Sequence, residues 1–132
     1  MDLNTFMQKY AEEIDGQYSE YDEEKSIIIV PLEDNRFQTV LGHVRSIEKY
    51  EKHSIEFSSK VCEFDQSIDL KKLLEENANF VHAKFLIVDN YIKVEAASFI
   101  ESVTEEVLKE IIQEVANLAD EYEFKLTGVD VH

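Results

Sequence analysis

The chain has 132 residues, 44% of them hydrophobic, a composition typical of one globular domain and not of a disordered segment. Its 29 acidic residues outnumber its 13 Lys and Arg, and the formal net charge of −16 at pH 7 disfavours nucleic acid and anionic membranes as partners, because both are themselves anionic. The same charge either keeps a small protein soluble or attracts basic or amphipathic polypeptides.

The first predicted element is an amphipathic helix that Asp2 caps and that ends near Gly16. Its apolar residues recur at helical spacing: Leu3, Phe6, Met7, Tyr10 and Ile14. The acidic segment 17–25 then predicts a short edge strand or a loop. Residues 26–32 are β-branched and apolar on both faces, a pattern typical of a strand that is covered on both sides, and Pro31 should mark its end or a position that faces away from the neighbouring strand.

Two more strands continue the predicted antiparallel meander. The first spans residues 36–47, with Gly42 at a bulge or bend, and a polar turn follows at residues 50–53. The second spans residues 54–64 and alternates between two faces. One face carries Ile55, Phe57 and Val61, and the other carries Glu56, Ser58 and Lys60.

Two helices are predicted in the second half of the chain. Asp69 caps a short one that ends near residues 77–79, and its apolar side carries Leu70, Leu73, Leu74 and Ala78. Thr104 caps the last helix, which runs to about Phe124. Its buried stripe comprises Leu108, Ile111, Ile112, Val115, Leu118, Ala119 and Tyr122. Residues 126–132 are expected to fray.

Between these helices, residues 80–99 predict a β-hairpin that turns at Asp89 and Asn90, since both residue types tolerate the left-handed conformation of a two-residue loop. Pairing Val88 with Tyr91 fixes the register and makes Lys84 and Glu95 an opposite-charge pair. The face predicted to be buried carries Val81, Ala83, Phe85, Ile87, Ile92, Val94 and Ala96.

The second face of the hairpin is more apolar than a solvated face should be, since Leu86, Val88, Tyr91 and Phe99 accompany its charges. Exposed hydrophobic residues are common on their own, so the face is either ordinary surface or a contact surface for another chain.

Residues that could act in catalysis or bind a metal are scattered along the sequence. The four histidines, at positions 43, 53, 82 and 132, do not have the spacing of metal ligands, and Cys62 has no nearby His or Cys. No glycine-rich phosphate loop or nucleophile motif occurs, and the carboxylate clusters at 22–24 and 75–76 lack the pattern of a calcium loop. We therefore expect no catalytic residues, no cofactor and no metal, and a protein that is not an enzyme.

The expected location is the cytoplasm. No stretch approaches the roughly 20 apolar residues of a membrane helix, and the first residues lack the basic and apolar segments of a signal peptide. Cys62 is the single cysteine, which suits a reducing compartment. One domain is expected to span residues 1–132.

The order of elements, α-β-β-β-α-β-β-α with an optional strand in the acidic segment, predicts an α+β domain in which helices pack on a single antiparallel sheet. With its hairpin at 80–99 and its last helix, whose sequence includes Ala119 and Asp120, the chain resembles the type III secretion chaperone-like fold, also called Tir-chaperone-like, and in particular the YbjN-like families.

The resemblance implies a homodimeric, non-enzymatic module that binds a client polypeptide on its sheet faces and helix-flanked grooves. It makes the short helix and a nearby strand the expected dimer contact, with Leu73, Leu74, Leu86 and Phe99 as interface candidates beside Val88 and Tyr91. The function is therefore predicted to be that of a secretion chaperone or a YbjN-like regulatory protein. The alternatives are an acidic immunity or antitoxin-type protein that neutralises a basic toxin, and an enzyme or small-ligand protein with an enclosed pocket.

Overall fold

The computed structural model describes residues 1–128, so residues 129–132 of the segment predicted to fray lie outside the described part. It contains three helices, α1 (Leu3–Glu13), α2 (Leu70–Glu76) and α3 (Glu105–Thr127). Its six strands are β1 (Gln17–Glu20), β2 (Lys25–Pro31), β3 (Phe37–Ile47), β4 (Lys52–Glu63), β5 (Lys84–Val88) and β6 (Tyr91–Phe99). The predicted α+β class and order of elements are confirmed, and the acidic segment does form an edge strand.

The strands make one antiparallel sheet in the order β1-β2-β3-β4-β6-β5. The first four form the predicted meander. After β4 the chain crosses over through α2, so that β6 and not β5 pairs with β4. The edges of the sheet are therefore β1 and β5.

All three helices lie on one face of this sheet. Helix α1 packs on β1, β2 and β3, and α3 crosses β3, β4 and β6. The two helices touch where Gln113 Nε2 donates to the hydroxyl of Tyr10 at 3.0 Å. Helix α2 lies beside α3, and the hydroxyl of Tyr122 donates to Glu76 Oε2 at 3.2 Å. A single apolar core fills the space between helices and sheet.

The predicted helix starts are confirmed by their caps. The side chains of Asp2, Asp69 and Thr104 accept hydrogen bonds from the backbone N–H three residues later, at 3.0, 3.1 and 3.3 Å respectively. Each cap satisfies a donor that the first turn leaves without an intrahelical partner. In α3, all members of the predicted stripe are buried except Leu118, which is half-buried.

Two expectations about the first strands are wrong. Strand β2 is not covered on both sides, because Ile27 and Ile29 point away from the helices and are only half-buried. Gly42 does not form a bulge, since it pairs in regular register with Ser26 and Phe57. The irregularity lies instead in β4, between Lys60 and Cys62.

The predicted register of the last hairpin is confirmed from Lys84–Glu95 to Val88–Tyr91, and Asp89 and Asn90 both have positive φ. Its predicted core face is wrong at two positions. Val81 precedes the strand and is 78% exposed, and Ile87 is 47% exposed because β5 is an edge strand.

The Lys84–Glu95 ion pair does not form. The ammonium group of Lys84 instead donates to the carbonyl oxygens of Asn77 and Phe80, both at 3.0 Å. Asn77 begins the 3-10 turn that follows α2 and Phe80 caps it, and carbonyl oxygens at the end of a helix attract a cation.

Helix α2 is also less buried than its pattern predicts. Leu73 is 5% exposed, whereas Leu70 and Leu74 are 39% and 67% exposed, and Ala78 is exposed as well. A helix this short at the margin of the sheet brings one side chain into the core.

Candidate protein-binding surface

We call the side of the sheet that carries no helix the open face. Because side chains alternate between the two faces of a strand, the regular register places every second residue of each strand on it. The partners across one row of the open face are Ile27, Leu41, Ser58, Glu95 and Lys84, each directly opposite the next.

Apolar side chains form two clusters on the open face. The meander cluster lies on β2 and β3 and consists of Ile27, Ile29, Phe37 and Leu41. The hairpin cluster lies on β5 and β6 and consists of Leu86, Val88 and Tyr91. Most of these side chains are half-buried, while Phe37 is 53% and Val88 is 38% exposed. An antiparallel sheet that faces water on one side normally presents polar residues there, so this face is unusually apolar.

The residues predicted from the sequence as interface candidates fall into three places. Leu86, Val88 and Tyr91 lie together in the hairpin cluster. Phe99 lies on the same face but at the other end of β6, where it pairs with Ser54. Leu73 and Leu74 belong to α2, on the helix side of the sheet, and only Leu74 presents accessible surface.

Sequence reasoning missed the meander cluster, although its signal was present. Residues 26–32 are apolar on both faces, a pattern that favours a strand covered on both sides of the sheet. The same pattern arises when the second face is left open for another molecule. Helices α1 and α3 pack on the other side, so no helix in residues 1–128 covers Ile27 and Ile29.

A depression on the open face lies beside the meander cluster. Its floor and rim are formed by Ile27, Phe37, Thr39, Leu41, Ser58, Lys60 and Lys93, with a contribution from Gln38. Lys60 on β4 and Lys93 on β6 are directly opposite each other in the register. Within residues 1–128 neither ammonium group forms an ion pair, and Lys60 Nζ lies 4.8 Å from the centre of the Tyr91 ring. We call this the lysine depression.

Around Phe99 the open face is more polar. The rings of Phe99 and Tyr50 meet edge to face with centroids 5.5 Å apart, and Lys52 Nζ lies 4.9 Å from the Phe99 centroid. Nearby, Arg45 Nε donates to Glu56 Oε2 at 2.7 Å. Here the cationic side chains stack on aromatic rings or pair with a carboxylate, so they already have partners within the protein.

Charge divides unevenly between the two sides of the protein. Six cationic residues occupy open-face positions, against three glutamates. The cations are Lys25, Arg45, Lys52, Lys60, Lys84 and Lys93, and the glutamates are Glu56, Glu63 and Glu95. These nine positions have a formal charge of +3, although the ammonium group of Lys84 turns to the carbonyl oxygens of Asn77 and Phe80, and since the whole chain carries −16, all other residues together carry −19.

Glu95 lies between neighbouring charges on this face. Its burial, together with the nearby carboxylate of Glu56, raises the pKa of Glu95, while Arg45 and Lys93 oppose the shift.

Within residues 1–128, the histidines and the cysteine do not form a reactive cluster. Cys62 is 7% exposed, and burial, with Asp65 and Glu123 nearby, raises the pKa of its thiol. His53 Nδ1 lies 3.3 Å from Glu101 Oε2, and His82 Nε2 lies 3.7 Å from Glu110 Oε2. His132 lies outside the described residues. Across residues 1–128, no three His, Cys, Asp or Glu side chains come together as metal ligands would, and no helix is both long and apolar enough to cross a bilayer.

The whole fold is similar to one in a solved structure of a secretion-system complex. The chain superposes on one chain of the heterodimeric ExoU–SpcU complex from the type III secretion system of Pseudomonas aeruginosa, with a TM-score of 0.56 over 96% of this chain and 99% of that chain. Sequence identity is 12%. The likeness is one of fold. No protein-family model matches the sequence, and no curated protein matches it significantly.

Proposed function

We propose that this protein is a non-enzymatic, chaperone-like binding module whose open face holds a segment of a client polypeptide. The observation that carries the proposal is the pair of apolar clusters on a sheet face that no helix covers. Apolar side chains that are gathered on an uncovered face are typical of a protein contact. The fold shared with a chain of the ExoU–SpcU complex, itself an assembly of two proteins, supports the same class of function.

A client would bind along the face and not in a pocket. The clusters lie on opposite halves of the sheet, β2 and β3 on one side and β5 and β6 on the other. An extended or irregular segment that crosses the strands can reach both, because the five adjacent strands from β2 to β5 span only about 19 Å at the usual spacing. This mode of action suits a secretion chaperone or a YbjN-like regulatory protein in the cytoplasm.

We propose further that the protein is a homodimer. Leu74 and Leu70 of α2, with Ile87 of the edge strand β5, line an apolar groove that meets the open face at Leu86. A dimer through this groove would leave the meander cluster of each protomer accessible. The mass in solution tests this point: a monomer has 15.4 kDa, and a dimer has twice that mass.

The proposed function is tested by affinity capture from the native cell with two matched variants. Leu41→Glu places a charge in the meander cluster, and Leu74→Glu places the same charge on α2. Circular dichroism first establishes that both variants fold. Loss of a captured polypeptide with Leu41→Glu alone supports client binding on the open face, whereas equal capture by wild type and Leu41→Glu contradicts it.

A second candidate function is that of an immunity or antitoxin-type protein that neutralises a basic toxin. The charge of −19 outside the open face favours it, since oppositely charged surfaces steer association. Under this alternative the partner binds the helix side. Glu110→Lys and Glu121→Lys on exposed positions of α3 should then abolish capture while Leu41→Glu leaves it unchanged.

A further inference from the structure

The lysine depression has properties that define what it can bind. Lys60 and Lys93 stand directly opposite each other on neighbouring strands, an arrangement of like charges that costs stability in a sheet. Neither forms an ion pair with a carboxylate among residues 1–128, in a chain with 29 acidic residues, although the charge of Lys93 acts on Glu95 two residues further along β6. A carboxylate from outside the chain would remove the repulsion between the two ammonium groups.

The surroundings of the two lysines select for more than a small anion. Ile27, Leu41 and Phe37 line the depression on one side, and Leu86, which is directly opposite Lys93, lies on the other. A free anion would neutralise the lysines but leave both apolar clusters in contact with water. A carboxylate that is flanked by apolar groups neutralises the lysines and also covers the two apolar clusters.

Building on the proposed function, we propose that the lysine depression binds an acidic residue of the client, within a segment that has apolar residues before and after it. The acidic side chain lies between Lys60 and Lys93, and the flanking residues contact the meander cluster and the hairpin cluster. The client residue is acidic because the open-face positions carry a charge of +3. An acidic protein therefore recognises an acid-containing client. The basic partner expected from net charge alone does not suit this face.

The distance between neighbouring strands sets the length of the client segment. From Leu41 on β3 to Leu86 on β5 there are three inter-strand steps and an offset of two residues along the strand, together about 16 Å, which an extended chain covers in about five residues. The pattern is therefore short: an apolar residue, one or two acidic residues near the middle, and a second apolar residue.

The test uses defined peptides and the full-length protein labelled with nitrogen-15. The probe is acetyl-Leu-Leu-Glu-Glu-Leu-Leu-amide, and the matched control replaces both glutamates by glutamine. Sodium acetate is titrated separately. We expect millimolar glutamate peptide to shift the backbone amide signals of Leu41, Lys60 and Lys93, and the glutamine peptide to bind about tenfold more weakly, as two partly solvated ion pairs predict.

The variant Lys60→Gln/Lys93→Gln should lower the affinity for the glutamate peptide to that of the glutamine peptide. The control Lys71→Gln/Lys72→Gln removes two exposed lysines from α2 and should leave binding unchanged.

Four outcomes would overturn the inference. If both peptides shift the open face equally, the face binds polypeptide without charge recognition, and the proposed function survives alone. If acetate binds as tightly as the peptide, the lysines form an adventitious ion site only. If no peptide shifts these signals, the face has no such specificity. If Lys60→Gln/Lys93→Gln converts a dimer to a monomer, the occupant is a second copy of this chain.

Discussion

The carboxylate of Glu114 on α3 accepts a hydrogen bond from the backbone N–H of Ala83, with 2.6 Å between Glu114 Oε1 and the Ala83 nitrogen. The same carboxylate accepts the N–H groups of Val81 and His82 at 3.0 and 2.7 Å. Because β5 begins at Lys84, one side chain of the helix fixes the backbone that leads into the last hairpin. The position of the hairpin cluster on the open face therefore depends on a contact made on the helix side.

Replacing Glu114 by alanine should lower the free energy of unfolding by about 1.5–3 kcal/mol, because three backbone donors lose a charged acceptor. Urea denaturation followed by circular dichroism measures the change. Glu110→Ala, one turn earlier and exposed, is the matched control and should change stability by less than about 0.5 kcal/mol. Equal effects of the two substitutions would show that the three hydrogen bonds add nothing.

The stabilisation by Glu114 should disappear in acid. Burial opposes ionisation of this carboxyl group, but the three backbone hydrogen bonds outweigh it and lower the pKa of Glu114. A group whose pKa is lower in the folded state stabilises the fold above its unfolded pKa, about 4.3 for Glu, and loses this contribution as the pH falls through the folded value. The difference in unfolding free energy between wild type and Glu114→Gln should shrink from pH 7 to pH 3. A difference that is independent of pH would contradict the assignment.

Removing one lysine from the depression should make the isolated protein more stable. Lys93→Gln eliminates the repulsion across the strands from Lys60, and the expected gain is a few tenths of a kcal/mol at low ionic strength. Added salt should reduce this gain, because it screens the repulsion in the wild type. A loss of stability in Lys93→Gln would show that packing of the lysine stem outweighs the charge repulsion.

Two glycines should differ in their tolerance of a methyl group. A Cβ atom at Gly16 would lie 2.4 Å from the carbonyl oxygen of Ile29, which is backbone of β2. At Gly42 the nearest atoms are Met7 Cε and Phe57 Cε1, both at 3.1 Å, and both belong to side chains. We expect Gly16→Ala to lower stability by more than about 1 kcal/mol and Gly42→Ala to cost less. Thermal denaturation of both variants gives the order, and the reverse order would refute this reasoning.

The local elements of this protein follow from its sequence, since their determinants lie within a few residues. Asp2, Asp69 and Thr104 cap their helices because each side chain reaches an N–H three residues later. The hairpin register follows from the turn at Asp89 and Asn90, two residue types that tolerate a positive φ. These interactions need no knowledge of the rest of the chain, so helix starts, strand register and the α+β class could all be predicted.

Which face of each element is covered was decided only by the tertiary structure. The apolar pattern of residues 26–32 is the same whether or not a helix covers Ile27 and Ile29, and the placement of α1 and α3 on the other side of the sheet leaves these two side chains without a helix over them. Lys84 is opposite Glu95 in register, yet its ammonium group turns to carbonyls that only the fold brings near. The net charge follows from the sequence alone, whereas the placement of the charges follows from the fold. The strand order brings Lys60 and Lys93 together on one face of an acidic protein.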